Sequence, residues 1–155
     1  MNQSVILLVV GKLKSDYWQK AANEYIKRLT PFTKLTVTEL PAKSFTDSNK
    51  SAMLEAENLA LLAFINKRPE YTVVICDERG EQLTSVKFAQ FWQKSTKPLI
   101  FVIGGTQGLS AEVKKTANLC LALSALTLPH ELARVILLEQ LYRSATIIAG
   151  KSYHY

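Results

Sequence analysis

The sequence predicts an α/β fold, a mainly parallel sheet sandwiched by helices. Strand-like and helix-like stretches alternate along its 155 residues. Most of the strand-like stretches are almost purely apolar, as in Val5–Val10 and Leu99–Ile103, which is the pattern of strands buried on both faces. The content, 48% hydrophobic and 21% charged, suits one globular domain over residues 1–155 with a full core, and no second domain is needed.

Ser4–Val10 reads as the first strand, ended by Gly11, and Lys12-Leu13-Lys14 as a loop. From Ser15, expected as an N-cap, Trp18, Ala21, Ala22, Tyr25 and Leu29 recur at helical spacing until Pro31 closes the helix. Lys20 and Lys27 share another face and extend the basic patch begun by Lys12 and Lys14. Lys34–Leu40 alternates, as an edge strand would, and stops at Pro41. Residues 42–50 form the one loop-like stretch. A helix follows over Ser51–Asn66, with Leu54, Leu61, Leu62 and Ile65 on one face and Glu55 and Glu57 expected to look outward. Tyr71–Cys76 reads as the third strand and Asp77-Glu78-Arg79-Gly80 as a turn. The third helix starts at Thr84 or Ser85 and turns Phe88, Ala89 and Trp92 to the core. Pro98 opens the fourth strand, Leu99–Ile103; a short helix from Ser110 to about Ala117 leads to the fifth, Leu119–Leu123. The last helix, from Pro129 at its first position to about Ala149, carries apolar residues around most of its girth. Such a helix needs a second buried face, which predicts a homodimer.

The net charge of +6 is unevenly spread: seven Lys/Arg against three Asp/Glu in residues 1–43, three against six in 44–78, and nine against four in 79–155. Basic ends around an acidic middle suit a polyanion such as RNA, although a modestly basic solvated surface has the same composition. The longest apolar run near the start, Val5–Val10, is too short to span a membrane and no basic segment precedes it, so a cytoplasmic protein with no membrane partner is expected. Cys76 and Cys120 both sit in strand-like runs without metal-ligand spacing and read as small buried hydrophobes; no disulfide and no metal site is expected.

The stretch Leu119–Arg134 organises the chain. Between its strand and Pro129 lie Ser124-Ala125-Leu126-Thr127-Leu128, neither turn formers nor helix breakers, which predicts a buried loop whose main-chain groups a ligand partly satisfies. Gly104-Gly105-Thr106-Gln107-Gly108-Leu109 follows the fourth strand, where open α/β sheets bind ligands, and its glycines would let a ligand approach the backbone. The dinucleotide fingerprint fails on spacing, on position and on the missing acid about twenty residues on; a P-loop fails because no Gly-Lys-Ser/Thr closes the loop. A plain structural turn is the alternative.

Taken together, Ile103–Leu109, Leu123–His130, Arg134, Glu139–Arg143, Ala145 and the Tyr153-His154 tail, with Val9–Lys12 and Glu39–Pro41, resemble the RlmH family of SPOUT-class methyltransferases over nearly the whole chain. The resemblance implies S-adenosylmethionine-dependent methylation of N3 of a pseudouridine in 23S ribosomal RNA, in a stem-loop at the subunit interface of the assembled ribosome. It also implies a C-terminal trefoil knot and a homodimer. Its cofactor positions fall on Cys76, where leucine is more usual, on Gly104, and on Leu123, Ser124, Ala125, Leu126, Thr127 and Leu128. Another SPOUT-class RNA methyltransferase and a non-enzymatic RNA-binding, ribosome-associated factor are the rival readings.

A sulfonium cofactor brings its own electrophilic carbon and needs no metal, so the protein supplies geometry and a route for the N3 proton. The catalytic candidates are His130, Arg134, Tyr153 and His154. His130 opens a helix, where the dipole disfavours an imidazolium; it either accepts a proton or caps the loop. Arg134 either steadies a phosphate or developing negative charge, or pairs with Glu131. Arg143 is expected to pair with Glu139. By resemblance, Tyr153 and His154 complete the active site or grip RNA, in their own or the partner subunit, and Tyr155 stands where relatives place a basic residue.

Overall fold

The computed structural model describes residues 3–154. Five strands alternate with five helices: β1 Ser4–Val10, α1 Asp16–Leu29, β2 Lys34–Leu40, α2 Lys50–Asn66, β3 Thr72–Gln82, α3 Ser85–Lys94, β4 Leu99–Ile103, α4 Ala111–Lys115, β5 Leu119–Ala122 and α5 His130–Ile148. The strands form one sheet in the order β2-β1-β4-β3-β5, and every pair is parallel.

The apolar runs are buried on both sides as the sequence requires. Successive side chains of a strand face opposite ways, so Val5, Leu7 and Val9 enter one core cluster and Ile6, Leu8 and Val10 the other. β4 divides in the same way, Leu99, Phe101 and Ile103 against Ile100 and Val102. Ala22 and Leu29 of α1, Phe88 and Trp92 of α3, and Leu137, Leu138 and Leu141 of α5 pack on the first face. Leu61 and Ile65 of α2 and Val113 of α4 pack on the second. The alternating strand, β2, lies at the sheet edge, where one face is relieved of burial.

Several expectations need correcting. Ser15 occupies the N-cap position of α1 but its side chain makes no capping bond, whereas Thr84 and Ser110 do cap α3 and α4 through Lys87 N and Val113 N. Glu57 does not look outward: it is buried, and its Oε1 accepts from the main-chain N–H of Lys43 at 2.9 Å. β3 does not end at Cys76. Asp77–Gly80 bulge out, and pairing with β5 resumes, so that Cys76 and Glu81 both register with Leu121. Pro129 precedes α5 instead of opening it. The wide apolar girth of α5 is also used within the chain. That helix lies between α1 and α3 on the sheet, and no residue from His130 to Ile148 is exposed. The girth therefore does not by itself demand a second copy, because three neighbours share it.

Candidate active site

All strands being parallel, their carboxyl ends lie along one edge of the sheet, the edge where open α/β sheets hold ligands. Past the ends of β3, β4 and β5 lies a cavity of about 770 Å³, within the usual range for small-molecule sites. Cys76, Gly104, Leu123, Ser124, Leu126, Thr127, Leu128 and His130 all line it, so the chain brings together most of the residues singled out from sequence. Ala125 is exposed and does not line it.

The segment after β5 is not the buried loop its composition suggests. Ala125, Leu126 and Thr127 are exposed, Leu126 by 75%. Solvent and side chains serve its polar groups: Leu126 N–H donates to Ser124 Oγ at 2.9 Å, and Thr127 Oγ1 donates to Glu78 Oε2 at 2.7 Å, tying the loop to the bulge of β3. From Ser124 to Leu128 that Leu126 N–H is the one main-chain donor with a protein acceptor among the described residues. A ligand in the cavity would find the others free.

The glycine turn on the opposite wall is built from within. Gly108 N–H donates to Gly105 O at 3.0 Å, and Gly108 holds φ +81, a left-handed conformation that disfavours side chains. A Cβ on Gly104 would meet Leu109 Cδ2 at 2.8 Å, and one on Gly105 would meet Glu57 Oε2 at 3.0 Å and Val10 Cγ1 at 3.2 Å. A side chain at either position would require these neighbouring side chains to shift. The next residue of α2, Asn58, accepts from Ser110 N–H through Oδ1 at 2.8 Å, so α2 braces the turn from behind.

Sequence reasoning missed the charged wall. Asp77, Glu78 and Arg79 line the cavity with Lys114, whose Nζ lies 2.6 Å from Asp77 Oδ2. Burial alone would raise the Asp77 carboxyl, but the hydrogen bonds from Lys114 and Arg79 N–H outweigh it and hold Asp77 below the ordinary carboxylate range. The rule that directs attention to Gly104, ligands beyond carboxyl ends, applied equally to β3 and could have found these residues. Burial pushes the Cys76 thiol up to about 12, leaving it a neutral apolar lining group.

Three catalytic candidates lie elsewhere. Arg134 is buried in α5 and pairs with Glu39 of β2 at 3.5 Å, not with Glu131, which instead accepts from Lys14 N–H at 2.7 Å. It borders a second small cavity of about 10 Å³, room for roughly one water, into which Val9–Leu13, Ile103 and His130 also face. Its Nε–H has no partner among the described residues. Tyr153 and His154 lie at the far end of α5. The Tyr153 ring packs on Tyr142, centroids 4.7 Å apart, its hydroxyl donates to Glu139 Oε1 at 3.3 Å, and His154 Nδ1 is 3.5 Å from Arg143 Nη1. Arg143 pairs with Glu139 as its spacing predicts, Nε to Oε1 at 2.9 Å. At 1.5 Å per residue, Arg143 is about 20 Å along the helix from His130, so the tail cannot reach the cavity of its own chain. Tyr155 lies outside the described residues. Among those residues, no helix is long and apolar enough to cross a membrane and no group of three His, Cys, Asp or Glu could hold a metal ion.

A family model described as "Predicted SPOUT methyltransferase" matches residues 3–154. Among solved structures, a probable methylase family protein from Haemophilus influenzae Rd KW20 aligns with a TM-score of 0.62 at 16% identity, over 100% of this chain and 72% of that one. The A. aeolicus TrmH/SpoU tRNA modifying enzyme aligns with a TM-score of 0.52 at 13% identity, over 96% and 78%. At such identities these two likenesses speak for the fold.

Proposed function

The chain belongs to the SPOUT methyltransferase family, and from that premise we propose that it methylates N3 of a pseudouridine in 23S ribosomal RNA, on the assembled ribosome, with S-adenosylmethionine as donor. The observation that carries the reading is the cavity past β3, β4 and β5, whose lining includes Cys76, Gly104, Leu123, Ser124, Leu126, Thr127 and Leu128. Its size suits that cofactor, and the free main-chain groups between Ser124 and Leu128 suit adenine and ribose. Leu126 and Leu128 supply apolar walls. When bound, the cofactor supplies an electrophilic methyl group.

The chain's own residues then orient the base, exclude water and move one proton. N3 of neutral pseudouridine is protonated, so a group at the cavity mouth must take that proton as the new bond forms. His130, on the cavity wall, is the candidate within the same chain. Tyr153 and His154 act in the other subunit of a homodimer, because their own cavity lies beyond reach. The Tyr153 phenol, pushed up to about 12 by burial, by its bond with Tyr25 and by Glu139, stays protonated and so donates a hydrogen bond or stacks rather than serving as a base. Arg134 acts as a positioning residue, tying the start of α5 to β2 beside His130. The resemblance that suggests the substrate also carries the C-terminal knot, and the seating of β5 beside β3 with α5 back on the sheet is compatible with it.

Calorimetry with S-adenosylmethionine, followed by methyl transfer to whole ribosomes, separate subunits and naked RNA with mapping of the modified nucleotide, tests the proposal. Saturable heat and a single methylated pseudouridine in whole ribosomes are expected. A methyl group on another RNA would replace the substrate while keeping the family. Absence of both heat and transfer would leave an RNA-binding factor.

A further inference from the structure

The edge of the sheet that opens the cavity also carries a second surface, past β1 and β2. Gly11 follows β1 with its N–H on Leu40 O at 2.8 Å, and a Cβ there would sit 3.4 Å from Ala42 Cβ, so the Gly11–Lys14 loop and the segment after β2 run side by side. Lys12 and Lys14 in that loop, Lys20 in α1, which follows it, and Lys43 next to Ala42 are all exposed, and none forms an ion pair among the described residues. Tyr17 is 64% exposed and Phe45 41%, two of the five large apolar side chains so exposed. The Tyr17 ring stands edge-on to Trp18, centroids 5.0 Å apart, and Trp18 packs against the core, so the exposed ring has a braced neighbour.

We infer that this shelf is where unpaired RNA bases flanking the target nucleotide lie, stacked on Tyr17 and Phe45, with their phosphates on Lys12, Lys14, Lys20 and Lys43. Aromatic faces interleaved with unpaired lysines match single-stranded RNA, which offers bases to stack and phosphates to neutralise. The shelf adjoins the cavity, since Ile103 and His130 line both that cavity and the small one bounded by Gly11–Leu13. The N–H of Lys14 on Glu131 fixes the loop to the first turn of α5. Four carboxylates border the shelf: Glu131 is engaged by the N–H of Lys14 and Glu39 by Arg134, which leaves Asp16 and Asp47 against the four lysines. A second copy of the chain fits this surface poorly, because interfaces between proteins are depleted in lysine. The inference rests on the RNA substrate proposed above.

The probe is a fluorescein-labelled RNA hairpin with an unpaired loop, against a duplex of the same length, read by anisotropy across a salt series. Tyr17→Ala should weaken hairpin binding about tenfold with little effect on the duplex, and Tyr17→Phe should restore it. Lys12→Ala with Lys43→Ala should reduce the slope of log affinity against log salt by about 1.4. Heats of S-adenosylmethionine binding should not change in any of these variants. Unaltered hairpin affinity in Tyr17→Ala, no hairpin binding by the natural protein, or a Tyr17→Ala chain that sediments at a different oligomeric state, would overturn the shelf. Hairpin binding lost in Tyr17→Ala, in a protein that methylates no RNA, would keep the shelf and reject the proposed reaction.

Discussion

At the scale of residues, the close approaches matter more than the chemistry-bearing side chains. A Cβ on Gly80 would meet Cys120 O at 2.6 Å and Leu121 C at 2.8 Å, both main chain, where nothing flexible can yield. Gly80→Ala should therefore lower stability by about 1–3 kcal/mol in urea unfolding and disturb the β3 bulge that carries Asp77. The Asp77 carboxyl titrates lower in the folded chain than its unfolded value of about 3.9. Its contribution is complete above that pH and disappears as pH falls through the lower folded value. The stability gap between the natural chain and Asp77→Asn should stay constant from about pH 7 to 5 and close below about pH 4, as urea unfolding along a pH series would show. Tyr153 moves the other way. Its phenol is raised from about 10 to about 12, so the stabilisation is present below the unfolded value and fades as pH climbs between the two. A phenolate absorbance titration, taken as the difference from Tyr153→Phe, should place the transition near 12, and Glu139→Gln should move it down.

At the scale of elements, α5 runs from the cavity to the tail. Its start borders the cavity through His130 and Ala133, its middle fills the core with Leu137, Leu138 and Leu141, and its end seats the tail through Tyr142 and Arg143. Leu141→Ala should cost about 2–5 kcal/mol in urea unfolding, because the side chain is fully buried. Leu126→Ala, on a side chain 75% exposed, should leave stability within about 0.5 kcal/mol yet weaken S-adenosylmethionine binding in calorimetry. Equal losses in the two variants would show that the loop is structural. The helix was legible in sequence to within a residue at each end, since Pro129 limits its start. Its neighbours were not, since an apolar girth says how much must be buried and nothing about what buries it.

At the scale of the whole molecule, the cavity and the tail lie at opposite edges of the sheet, so the role proposed for the tail requires a second chain. Mixing a chain cut after Gly150 with a full-length chain carrying Gly104→Arg should recover methyl transfer that neither shows alone, because one of the two sites in a mixed dimer keeps both an intact cavity and a tail. No recovery, in a mixture that sedimentation shows to contain mixed dimers, would place the tail's role outside the partner's site. The same view accounts for the uneven charge. The basic N-terminal third supplies the shelf beside the cavity, while α2, with Glu55 exposed and Glu57 buried, lies on the other face of the sheet.

Local order was written in the sequence. Continuous apolar runs in β1 and β4, capping residues at Thr84 and Ser110, and Gly11 and Pro41 as stops place most elements to within a residue or two, β3 beyond Cys76 excepted, because backbone sterics and two-sided burial act on neighbours along the chain. Pairings over long distances were not written there. That Arg134 reaches Glu39, that Glu57 turns inward behind Gly105, that Asp77 meets Lys114 and that the tail lies far from its own cavity all depend on the strand order β2-β1-β4-β3-β5. Such contacts join residues whose separation along the chain carries no periodic signal, so only the packing of the whole sheet and its two helical layers could decide them.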